Sequence, residues 1–139
     1  MDIGNLLQEY NQIATLVGIL AGFAFSAVIQ LISTDKPGKI TTAAIIVFSI
    51  STTMFLFALF AFVLGAAAIA ELNREITELE GWLGYTFAVA YLGLNLFLVG
   101  VGLTGWIRSR ITGIITTVFA LITFCMIAWV FVSVIALFV

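Results

Sequence analysis

Residues 8–34 read QEYNQIATLVGILAGFAFSAVIQLIST, and the placement of their polar side chains decides the fold. Wound at about 100° per residue, Gln8, Gln12, Thr15, Ser26, Gln30, Ser33 and Thr34 share an arc of about 100° with Ile19 and Phe23. Asn11 sits at its edge. The arc carries no charge; it is polar at both ends and apolar in the middle. Unpaired polar groups in hydrocarbon cost several kcal/mol each, so such a face must turn toward protein or water rather than lipid. Two arrangements satisfy it. Repeated around a symmetry axis, the face lines a pore with an apolar waist. Folded against its own chain, it forms a seam hydrogen-bonded to the other spans.

The rest of the chain demands the same solvent. Of 139 residues, 63% are hydrophobic and 9% charged, and the mean hydropathy is +1.28. That composition reads as an integral membrane protein. The charged residues fall in four clusters that leave four uncharged runs, 13–32, 40–70, 83–107 and 111–139. A span needs roughly 20 apolar residues, and each run supplies them. The expectation is an all-α integral membrane protein with four transmembrane helices per chain, a single domain over 1–139, in the cell membrane.

Between the first two runs lies Asp35-Lys36-Pro37-Gly38-Lys39, which holds the only proline followed by glycine and reads as a tight turn. Residues 71–82 continue helically as an amphipathic loop. There Ile69, Leu72, Ile76 and Leu79 take one face, and Glu71, Arg74, Glu75 and Glu78 the other. Arg74 and Glu78 are spaced to pair at i,i+4. This segment is a solvated extension or a partner-docking helix. Gly93 and Gly100 share one face of span three, as close helix contact requires. Asn95, the one strongly polar side chain inside spans two to four, bonds another helix or faces a lumen. Trp82, Tyr85 and Trp106 near span ends read as interface anchors.

Much chemistry has no residues to perform it. The chain has no histidine, and its single cysteine, Cys125, lies deep in the fourth run. The usual transition-metal ligands and a general base for hydrolysis are therefore missing. No acidic or basic side chain lies inside a span, whereas proton-coupled carriers usually keep one there. The expectation is a protein that is not an enzyme and holds no cofactor other than a permeant cation. Its partners are membrane lipid and further copies of itself, with no nucleic acid and no small-molecule substrate. Passive permeation needs only a wet path, a barrier and dipoles.

Two blocks resemble the Orai family of store-operated calcium channels. Leu20-Ala21-Gly22-Phe23-Ala24-Phe25-Ser26-Ala27-Val28-Ile29-Gln30-Leu31 is similar to the family's pore helix, Leu-Ser-Gly-Phe-Ala-Met-Val-Ala-Met-Val-Glu-Val. Phe48-Ser49-Ile50-Ser51-Thr52-Thr53 resembles its Phe-Ser-Ala-Cys-Thr-Thr. The resemblance covers spans one and two well, span three loosely and span four hardly at all. It implies a hexamer with six first helices around the axis and the other spans in outer rings. It places Gln30 where the family has its selectivity-filter glutamate, as a possible cation filter. Phe23 and Ser26 fall in the hydrophobic gate, Gly22 at the flexible position beside it, Ile19 in the apolar section, and Thr15 near the basic inner pore. The chain departs from the family in its neutral Gln30, in the lack of basic inner-pore residues, and in the missing coiled extension of span four. Orientation is contested: Lys36, Lys39, Arg108 and Arg110 in loops one and three put both termini outside by the positive-inside rule. The resemblance puts them in the cytosol.

The sequence thus reads first as a homo-oligomeric cation channel lined by Thr15, Ile19, Gly22, Phe23, Ser26 and Gln30. A non-conducting four-span scaffold or regulator stands second, and a small exporter third.

Overall fold

In the computed structural model, which describes residues 3–35, 37–72 and 77–136, the chain is all-helical. Four helices are long and apolar enough to cross a membrane. They are α1 (Ile3–Ile32), α2 (Lys39–Leu72), α3 (Thr77–Arg108) and α4 (Arg110–Ile135). Proline and glycine sit outside them where the chain must reverse: Pro37-Gly38 separates α1 from α2, and the Gly38 carbonyl accepts the Thr42 N–H at 3.0 Å. The α3–α4 reversal is tighter. Ser109 alone separates the two helices, and its Oγ accepts the Thr112 N–H at 3.1 Å, an N-cap that satisfies one orphan donor of α4.

The helices outrun the uncharged runs, with one consequence for the sequence reading. α1 begins at Ile3 rather than near residue 13, because Leu6 and Tyr10, one turn apart, are buried and the Tyr10 ring packs on Phe62 at 6.1 Å. Its 30 residues extend about 45 Å and the 34 of α2 about 51 Å, both longer than a ~30 Å hydrocarbon core. Of the expected amphipathic loop 71–82, residues 73–76 lie outside the described residues. Glu71 and Leu72 finish α2, and residues 77–82 open α3. The Arg74–Glu78 pairing lies outside the described residues.

Each helix packs on its neighbour in sequence: α1 on α2, α2 on α3, α3 on α4. Only α1 and α3 touch across the order, and briefly; among the described residues α4 reaches neither α1 nor α2. The result is an open row, not a closed bundle. α2 is the middle of it, and its buried positions run at intervals of seven. Phe48, Phe55, Phe62 and Ile69 form one ladder, and Ala44, Ser51, Ala58 and Gly65 form another beside it. A seven-residue repeat keeps one seam facing a partner along the helix. The large side chains of the first ladder enter gaps left by glycine. Phe48 lies over Gly100 and Phe55 over Gly93, where an added Cβ would stand 2.8 Å and 3.2 Å from the respective rings. Phe97 then meets Phe48 edge-on at 5.6 Å. Ser51 Oγ donates to the Gly93 carbonyl at 2.8 Å, a hydrogen bond between helices in the buried core.

Small residues also bring α3 and α4 together. A Cβ on Gly113 would strike the Trp106 ring, and one on Gly105 would meet the Thr112 carbonyl at 2.9 Å. Trp106 Nε1 donates to Thr117 Oγ1 at 3.0 Å across this contact. Its indole thus joins two helices as well as marking a span end. Asn95 does not do what its polarity suggests. Its Nδ2 donates to the Tyr91 carbonyl of the same helix at 2.9 Å, and its buried Oδ1 has no partner among the described residues.

Candidate functional site

α1 divides into two opposed faces. Leu6, Tyr10, Ala14, Val17, Ala21 and Ala24 are buried and recur at three and four residues, which makes one stripe down the helix. That stripe meets α2, where Leu59 lies 3.6 Å from the position of a Cβ on Gly18. The polar arc lies about 180° from it by helical rotation. Gln8, Gln12, Thr15, Ser26, Gln30, Ser33 and Thr34 are all exposed. Within one chain the face is not buried as a seam: it lies opposite the stripe packed on α2, and its Phe23–Thr34 end borders α3 across an open groove. The reason is steric. The small residues Ala14, Ala21 and Ala24 of the opposite face, with Gly18 beside them, admit the bulky side chains of α2, which the amides could not.

Every expected site residue is on this outward side. Thr15 is exposed, and its Oγ1 donates back to the Asn11 carbonyl at 2.8 Å, so its hydroxyl is satisfied without another helix. Ser33 does the same with the Ile29 carbonyl at 2.9 Å. Ile19 and Phe23 are 53% and 63% exposed, as are many large apolar side chains on the outer surface of these helices. Gly22 is exposed beside them, with open space where a Cβ would be. Ser26 and Gln30 are one turn apart and exposed. From Thr15 to Ser26 the face carries no polar side chain, a stretch of about 16 Å at 1.5 Å per residue.

Sequence reasoning missed the surroundings of Gln30. Phe23, Ser26 and Gln30 form one wall of a groove of about 980 Å³ whose far wall is α3, with Phe97, Thr104 and Arg108, and whose floor includes Phe48 of α2. Asp35 and Thr34 stand at its end. The brief contact of α1 with α3 makes this groove, and no local pattern in the sequence signals it. Among the described residues there is no group of three or more His, Cys, Asp or Glu side chains placed to hold a metal ion.

No protein-family model, no curated protein and no solved structure matches this chain.

Proposed function

We propose that this chain is the subunit of a cyclic homo-oligomeric cation pore in the cell membrane, with α1 innermost and α4 outermost. One observation carries the reading. The uncharged polar face of α1 lies opposite its packing face and is exposed in the chain, and polar groups turned to hydrocarbon without partners are costly. A ring of copies removes that cost by surrounding the face with water. The open row supports the same arrangement, because it offers α1 at one edge and at the other α4, whose exposed side chains include Ile115, Phe119, Ile122 and Trp129. Those suit lipid.

Within such a ring Gln30 forms a collar of carboxamides near one mouth. Its oxygens can turn toward a cation, yet hard divalent ions favour anionic oxygen ligands. The pore is weakly selective among cations. Ile19 and Phe23 form an apolar constriction that keeps the resting path dry, a barrier that acts by excluding water. The resemblance of the two blocks to Orai channels agrees with this assignment and favours six copies.

Cation flux through purified protein in liposomes tests the proposal. Flux that rises with protein-to-lipid ratio is the expected result. A monomer in native-like lipid by native mass spectrometry, with no flux, would refute it.

A further inference from the structure

We infer that the groove between α1 and α3 binds one phospholipid with a zwitterionic phosphoethanolamine headgroup, its head at the membrane surface and its tail toward the interior. The site is complete within one chain and does not depend on the ring proposed above. Its walls change character with depth. At the surface end stand Asp35, just past α1, and Arg108, the last residue of α3. Both are exposed, and among the described residues no ion pair joins them. At the deep end Phe48, Phe97 and Val101 supply an apolar wall. From Arg108 to Phe97 the helix descends about 16 Å at 1.5 Å per residue. That is the depth of one leaflet of a ~30 Å hydrocarbon core. The volume, about 980 Å³, is at the top of the range for small-molecule sites and suits a lipid rather than a lone ion.

The charges select the headgroup. A carboxylate and a guanidinium that are not spent on each other, in one groove, complement a ligand carrying both signs. The phosphate pairs with Arg108, whose planar fork matches its oxygens, and a primary ammonium donates to Asp35. A choline headgroup has no N–H to donate, and an anionic headgroup without an amine leaves Asp35 facing like charge. Gln30, exposed near the end of α1 below these charges, is placed to donate amide N–H bonds to the ester carbonyls that join head to tail. Ser26 lies one turn deeper, on the rim that the groove shares with the polar face, and the tail runs along the α3 wall instead. The Thr104 hydroxyl on that wall already donates to the Val101 carbonyl at 2.7 Å, so it leaves no donor facing the tail. In the ring, a seated headgroup shares the mouth with the Gln30 collar and takes its amides away from a permeating cation. Lipid binding and permeation then oppose each other.

Native mass spectrometry of the purified full chain reads the site without reference to flux. Palmitoyl-oleoyl phosphatidylethanolamine, phosphatidylcholine and phosphatidylglycerol are offered together in equal amounts. The ethanolamine lipid should be retained about three- to fivefold over the other two, the span that one exposed ion pair supports. Asp35→Asn should erase the preference over the glycerol lipid, a change of selectivity that lost packing does not produce. Arg108→Gln should lower retention of all three. Arg110→Gln, a like charge outside the groove lining, should change nothing. Glycerophosphoethanolamine, the same head without tails, should fail to displace bound lipid. Equal retention of the three lipids by the wild type, or an equal loss from Arg108→Gln and Arg110→Gln, overturns the inference. Displacement by the tail-less head shows a phosphate site alone and overturns the lipid. Selective retention without cation flux keeps the lipid site and refutes the pore; flux with unselective retention keeps the pore and refutes the lipid site.

Discussion

Gly100→Ala places a methyl group into the tightest contact between α2 and α3. The new carbon would stand 2.8 Å from two carbons of the Phe48 ring and 3.0 Å from a third. Real Cβ contacts are not found at such distances, so the ring must move by several tenths of an ångström. It has little freedom to do so: Phe48 is 2% exposed and held edge-on by Phe97. Forcing an extra carbon into a packed core costs about 1–3 kcal/mol. Against this stands the helix preference for alanine over glycine, worth about 1 kcal/mol. The balance is a loss of roughly 1 kcal/mol, and a larger one if the ring is trapped. Gly22→Ala is the internal control, because it gains the same preference and meets nothing within 4 Å in the chain. Thermal unfolding in detergent, followed by tryptophan fluorescence, should rank Gly22→Ala at or above the wild type and Gly100→Ala below it. Phe48→Leu combined with Gly100→Ala should recover part of the loss, as coupled neighbours do. If Gly100→Ala is as stable as Gly22→Ala and shows no coupling to position 48, the α2–α3 packing argument is wrong.

Phe23→Ser should wet the apolar stretch of the proposed pore and raise basal monovalent cation leak in liposomes, and unchanged leak in normally assembled protein would place Phe23 away from the path. Gln30→Glu should add tight calcium binding and block of monovalent current at low calcium, read by flux at graded calcium concentration. Equal permeation in both forms would remove Gln30 from the filter. Asn95→Leu removes a buried acceptor that has no donor among the described residues. It should therefore raise the unfolding temperature, the unsatisfied group costing about 1–3 kcal/mol; destabilisation would show that Asn95 has a partner in the assembled protein.

The number of membrane-length helices was legible because charge cannot remain in hydrocarbon, and the charged clusters mark the turns at Asp35–Lys39 and Arg108–Arg110. The polar face of α1 was legible for a related reason, since polarity and apolarity separate by angle there, although whether that face turns outward or onto the chain was not. The start of α1 was not legible, since Gln8-Glu9-Tyr10-Asn11-Gln12 looks like a polar lead-in until Tyr10 is seen packed on Phe62. α2 hid its buried side entirely. Polarity carries no signal in a helix apolar all round, and size carries it instead, in the ladder of Phe48, Phe55 and Phe62 beside Ala44, Ser51 and Ala58. The spacing of Gly93 and Gly100 had given half of that contact without its partners. Asn95 was read as bonding another helix or facing a lumen; within the chain its Nδ2 donates one turn back on its own helix instead, a local option that any lone amide in a helix has. The groove beside Gln30 depends on the angle between α1 and α3, which no periodicity encodes.

The open row also sets an order of manufacture. Apart from the touch of α1 on α3, every helix meets only the helix made just before or after it. Each new span can dock on its predecessor as it leaves the ribosome and the insertion machinery, with no wait for a distant segment to close the structure. Contacts between sequence neighbours form fast because little chain entropy is lost in making them. The last helix arrives on a core already complete in α1 to α3. A nascent chain stalled before α4 should therefore already present the α1 polar face, leaving assembly with further copies to begin before synthesis ends.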